Sequence, residues 1–305
     1  MVKIEMIVDA RNNLGEGPLW DVAQQRLYWV DSLDRFVHCC DFEGRNRQSW
    51  PVPADIGSMA LRKDGGAIFA LANGFHTFDF LTGEAKLIAD PESNNARTRL
   101  NDGKVDQRGR FVAGSMDRME TESLGSVYQL GADGKVRVLD DGIIVSNAPC
   151  WAPDGRTFYF ADSIRGEIYA YDYDLDSGSA SNRRLFASTK DDPGAPDGGT
   201  VDAEGYVWNA QIVGGRIIRY RPDGGVDRVV EFPVATLTSL MFGGPNLDIL
   251  YVTTMGKPSV GVVDYVKAHP IPPGKSVNPG DPGLGGLFAV RGLGVRGIPE
   301  PRYAR

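Results

Sequence analysis

The sequence is poor in the residues that staple, anchor or charge a chain. Three cysteines occur in 305 residues, Cys39, Cys40 and Cys150. Neighbours on a strand face opposite ways, so Cys39 and Cys40 do not read as a disulfide framework, and a reducing, cytoplasmic setting is expected. Histidine is as scarce: His38, His76 and His269 lie far apart, which removes a His/Cys zinc site and a Ser-His-Asp triad. No Gly-x-Ser-x-Gly elbow occurs either. Apolar runs never reach the roughly 18 residues of a membrane span. Glu5 interrupts the stretch where a secretory leader would be apolar, so neither leader nor anchor is expected. Blocks of Lys or Arg are missing, and 33 basic against 40 acidic residues leave a net charge of −7. Nucleic acid is therefore not an expected partner, nor is a membrane. Helical periodicity is also hard to find.

Short β-branched and aromatic runs fill the chain instead, bounded by many of its 38 glycines and 19 prolines. They recur at a long period. Leu19-Trp20-Asp21 precedes Arg26-Leu27-Tyr28-Trp29-Val30, and Leu61-Arg62-Lys63-Asp64 precedes Ala67-Ile68-Phe69-Ala70. Similar pairs follow around Asp106, Asp154 and Asp202, so the turn aspartates are spaced 43, 42, 48 and 48 apart. A degenerate sixth copy turns at Asn246, 44 further on. A repeat of about 40–50 residues with four short strands marks propeller blades. Six copies predict one all-β domain over residues 1–305, a six-bladed β-propeller with four antiparallel strands per blade.

In a propeller the innermost strands line the axis, so equivalent positions converge there. Five residues before Asp21, Asp106 and Asp202 stand Glu16, Asn101 and Asp197. Asn147 lies seven before Asp154, a spacing the nearby prolines would lengthen. Each is flanked by Gly or Pro, and each has an ordinary alternative. Pro-Asp-Gly is a turn signal, used as such at Pro153-Asp154-Gly155 and Pro222-Asp223-Gly224. Asn147 fits a left-handed backbone, and Glu16 fits a solvated loop. A shared slot across four blades outweighs these one by one. Two carboxylates and two amide oxygens suit one hard divalent cation such as Ca²⁺, Mg²⁺ or Mn²⁺, which relieves the repulsion between the acids. Zn²⁺ and Fe²⁺ also bind such oxygens. This pattern alone does not separate Asn101 from the metal shell.

At these residues the sequence resembles the SMP-30/gluconolactonase family of sugar lactonases. The likeness rests on Leu14-Gly15-Glu16-Gly17-Pro18, Arg99-Leu100-Asn101-Asp102-Gly103, Ser146-Asn147-Ala148, Pro196-Asp197-Gly198 and the ending Gly297-Ile298-Pro299-Glu300-Pro301. It implies that Glu16, Asn147 and Asp197 hold the metal while Arg99 and Asn101 reach the substrate. The acidic substrate contact of the family falls by a straight count on Met119, leaving Glu120, or Glu122, as the shifted candidate. A Pro/Gly-rich stretch from Lys267 to Gly286 is longer than usual and reads as a solvated loop rather than a lid.

The expected activity is metal-assisted opening of a small sugar lactone, with Asp197 as general base and Arg99 gripping paired oxygens. A phosphotriesterase on the same scaffold, or a calcium-binding propeller without turnover, are the competing readings.

Overall fold

The computed structural model describes residues 1–258, 260–275 and 277–305. It contains six antiparallel sheets of four strands each, the expected propeller. The innermost strands of the six blades are Gly15–Asp21, Ile56–Leu61, Thr98–Val105, Ser146–Trp151, Ala195–Val201 and Leu237–Gly243. Each is followed outward by the next strands of its own blade, as the turn periodicity requires.

Ring closure was not legible in the repeat. The sixth blade takes Leu237–Gly243, Ile249–Thr254 and Leu287–Arg291, and its outermost strand is Lys3–Val8 from the other end of the chain. Lys3 pairs with Arg291 and Met6 with Phe288. Closing the ring this way leaves no blade short of a strand.

Hydrophobic side chains fill the spaces between blades, one cluster at each of the six junctions. Trp208 of the fifth blade meets Phe242 of the sixth edge-on, and Phe75 of the second meets Phe111 of the third. Inner strands are buried on both faces because a blade covers each side, whereas outer strands such as Ser179–Ser188 are mostly exposed. The last residues cross one face of the ring. Tyr303 is fully buried, and its hydroxyl donates to the carbonyl of Gly131 at 2.8 Å. All three cysteines are buried and unpaired.

One helix, Val260–Ala268, departs from the all-strand expectation. Its valines favour strands by intrinsic preference, and nine residues are too few to display a clear helical period. The surface loop expected at Lys267–Gly286 is the tail of the excursion that carries this helix; position 276 lies outside the described residues. No helix among the described residues is long and apolar enough to cross a membrane.

Candidate active site

Glu16, Asn101, Asn147 and Asp197 line one cavity of about 220 Å³, together with Arg99 and Glu120. Arg99, Asn147 and Asp197 are buried, and Glu16, Asn101 and Glu120 half-buried. A local irregularity of the inner strands produces this convergence. Pairing with the neighbouring strand skips between Glu16 and Leu19, Leu100 and Gly103, Asn147 and Cys150, and Pro196 and Gly199. Such a bulge kinks the strand and re-aims its side chains, here toward the axis. Asn147 does not itself take the left-handed backbone; Ala148 does, at φ 53°, as Gly17 does at φ 51°.

The turn aspartates are not all equivalent, which corrects the spacing at the fourth blade. The amide of Asp106 bonds the carbonyl of Arg110, and that of Asp202 bonds Tyr206, closing their hairpins. In the fourth blade the corresponding amide belongs to Ala152, which bonds Thr157. Asn147 stands five before Ala152, so no lengthening by proline is needed.

The two blades without a ligand-type side chain buttress those that have one. A methyl group at Gly57 in the second blade would collide with the backbone of Asn101, and Ser58 Oγ donates to the Asn101 carbonyl at 2.8 Å. In the sixth blade the Thr238 hydroxyl donates to the carbonyl of Gly15, and Ser239 packs directly against Gly198.

Hydrogen bonds orient the polar groups. Arg99 Nη1 donates to Asn101 Oδ1 at 2.7 Å and to the Leu100 carbonyl at 3.1 Å. Asn101 Nδ2 donates to the Ser146 carbonyl at 2.8 Å and reaches Asn147 Oδ1 at 3.3 Å. Asn147 Nδ2 is taken by Ser163 Oγ at 2.8 Å, which leaves its oxygen for the cavity. The Asp197 carbonyl accepts from Asn209 Nδ2 at 2.8 Å.

Burial, then Asp197 and Asp102, hold the Glu16 carboxyl well above its usual range. Burial, then Asp102 and Glu120, do the same to Asp197. Burial lowers Arg99, which opposes the pull of Glu120. Repelling buried acids beside an amide oxygen fit a hard divalent cation, whose charge would reverse the upward push. Among the described residues no cluster of three or more His, Cys, Asp or Glu could hold an ion, so the fit depends on Asn147 as a neutral third donor.

Sequence reasoning reached these residues but missed others. Asp102 is buried behind the site and accepts from the amides of Gly103 at 2.8 Å and Ala148 at 2.9 Å, and burial pushes it up to about 6. Its signal was its position next to Asn101. Of the shifted acids, Glu120 faces the cavity at φ 58°, while Glu122 is exposed and bonds Arg97 at 2.8 Å. Met119, where the straight count falls, is exposed. Arg118 and Asp55 stand at the same cavity, 3.7 Å apart. Val262 and Tyr265 reach it from the helix.

Residues 14–256 match the family described as SMP-30/Gluconolactonase/LRE-like region. Regucalcin of Xenopus laevis is 35% identical over 309 residues, spanning 99% of each chain. The solved luciferin-regenerating enzyme superposes with a TM-score of 0.89 at 28% identity, over 100% of both chains. The regucalcin of Agrobacterium tumefaciens, a calcium-binding protein, does so with a TM-score of 0.86 at 28% identity, over 98% of this chain and 97% of the other. The chain belongs to the SMP-30/gluconolactonase/LRE-like family.

Proposed function

We propose that this chain, acting as one unit in a reducing cytoplasmic compartment, hydrolyses a small sugar-type lactone to the open hydroxy acid. In this reading Glu16, Asn147 and Asp197 hold one divalent cation, drawn from Ca²⁺, Mg²⁺, Mn²⁺, Zn²⁺ and Fe²⁺. The observation that carries the reading is the meeting of two mutually repelling carboxylates, half-buried Glu16 and buried Asp197, with the Arg99–Asn101 pair in one cavity. When bound, the cation supplies Lewis-acid polarisation of the lactone carbonyl.

The chain's own groups do the rest. Asp197 takes the proton of the attacking water, its affinity for that proton set by its burial and by the charge of the cation it holds. Arg99 donates to paired oxygens of the sugar; Asn101 fixes its guanidinium through the 2.7 Å bond. Glu120, which lines the same cavity, accepts a hydrogen bond from a substrate hydroxyl. Apolar cavity walls around these groups limit water and strengthen each polar contact.

A second reading, calcium binding without turnover, draws on the calcium-binding description of the Agrobacterium tumefaciens relative. It gives no task to the Arg99–Asn101 pair. Proton release on lactone addition, followed in metal-stripped and metal-restored protein, decides between them. Opening that returns with the cation supports the hydrolase; equal rates with and without it refute metal dependence, and binding without any opening supports the second reading.

A further inference from the structure

The cavity is lined by two kinds of surface. Its charged and amide groups come from several blades: Arg99, Asn101, Arg118 and Glu120 from the third, Asp55 from the entry to the second, Asn147 from the fourth, and Glu16 and Asp197 from the first and fifth. Beside Glu16 and Asp197, facing the third blade, stand Leu14, Ala195, Ile212, Val213, Met255 and Val262, which belong to one buried hydrophobic cluster. None of these six side chains can donate a hydrogen bond, and the only acceptor among them is the weak thioether sulfur of Met255.

Val213 sets this apolar wall apart from ordinary packing. It sits at φ 67°, a left-handed conformation that β-branched residues almost never adopt, and it is followed by two glycines that would tolerate that backbone freely. Its side chain is nevertheless buried in the cavity wall. The excursion that carries the helix is tied to the same loop: Lys275 Nζ donates to the Gly215 carbonyl at 2.6 Å and to that of Gly214 at 3.3 Å. Helix and strained loop thus build one wall together. Strain of this kind is retained where the surrounding structure enforces it, commonly at ligand sites.

We propose that the preferred substrate is an amphipathic lactone, with ring oxygens toward Arg99 and Asn101 and an alkyl or aryl substituent against the Val213–Val262 wall. This rests on the lactonase reading and narrows its substrate class. A polyhydroxylated tail placed against those six side chains would lose its bonds to water and gain no comparable partner from them.

The test compares ring-matched aldono-γ-lactones whose tail is polyhydroxylated or is methyl, propyl or pentyl, using metal-loaded protein and proton release. The expected result is a rise in kcat/KM of about fourfold per methylene until the wall is filled, with the polyhydroxylated tail slowest. Calorimetric binding of the matching, unhydrolysed γ-lactams follows the same order. Val213→Asn relieves the left-handed backbone but puts an amide in the wall, so Tm reports the net of those two opposing effects while the alkyl preference narrows by about tenfold. Val262→Asn narrows it without touching the strained loop. Opening of every lactone at similar rates, or fastest opening of the polyhydroxylated one, overturns the substrate class and leaves the lactonase reading standing. No opening of any lactone overturns both.

Discussion

Replacing Arg99 tests the proposal that this side chain grips the substrate. The guanidinium carries five N–H groups. The two on Nη1 are spent on Asn101 Oδ1 at 2.7 Å and the Leu100 carbonyl at 3.1 Å. These bonds use only Nη1, so in the proposed reading the N–H groups on Nη2 and Nε serve the substrate. A hydrogen bond to a charged group contributes about 1.5–3 kcal/mol, so losing a two-pronged grip costs about 3 kcal/mol, or about 150-fold in kcat/KM. The grip acts on the ground state as on the transition state, so the loss appears chiefly in KM. Arg99→Ala is therefore expected to raise KM by about 100-fold with a small fall in kcat. Arg99→Lys restores the charge but cannot hold Asn101 and the substrate at once, and is expected to recover less than about tenfold. Initial rates of lactone opening measure both, and calorimetry of cation binding checks that the carboxylate end is intact. Wild-type KM in Arg99→Ala, or full recovery in Arg99→Lys, refutes the assignment.

Asp197→Asn keeps the shape of the site and removes the base, so kcat is expected to fall by about 10³ or more at neutral pH; a loss under tenfold would move the base elsewhere. Glu120→Gln lowers kcat/KM by about tenfold while Glu122→Gln leaves it unchanged, because Glu122 is engaged outside the cavity with Arg97; the reverse pattern in steady-state kinetics would exchange the two assignments. Burial raises the Glu300 carboxyl although Lys104 stands 3.6 Å away. A carboxyl raised in the folded state destabilises the protein once it ionises, so its penalty is absent at low pH and grows as pH rises through the carboxylate range. Glu300→Gln should thus gain in Tm over the parent between about pH 4 and about pH 7, and a gap that shrinks with pH contradicts this.

The long period of the repeat made the architecture legible because each blade re-creates the same local problem. A two-strand turn followed by a buried run needs the same residue types every time. What the repeat could not reveal is whatever occurs once. Lys3–Val8 completes the sixth blade from the far end of the sequence, a pairing set by ring geometry and invisible to local pattern. Val260–Ala268 is a single short helix written in strand-favouring valines. The cavity residues divide along the same line. Glu16, Asn101, Asn147 and Asp197 occupy a recurring slot and were found by counting. Val213, Val262 and Asp55 come from connections that differ in every blade, so no count reaches them.

Why four slots carry a carboxylate or amide aimed at the cavity and two do not follows from the bulge that every inner strand shares. A side chain turned to the axis needs its backbone displaced, and the displaced backbone must press on a neighbour. The second blade meets that demand with Gly57, which leaves room for the Asn101 backbone, and with Ser58, which bonds its carbonyl. The sixth does so through Thr238 and Ser239, against Gly15 and Gly198 beside Glu16 and Asp197. Filling all six slots with acids would crowd like charges and remove both supports. The same fold that multiplies a ligand position six times therefore limits how many copies can be used, and the unused ones hold the others in place.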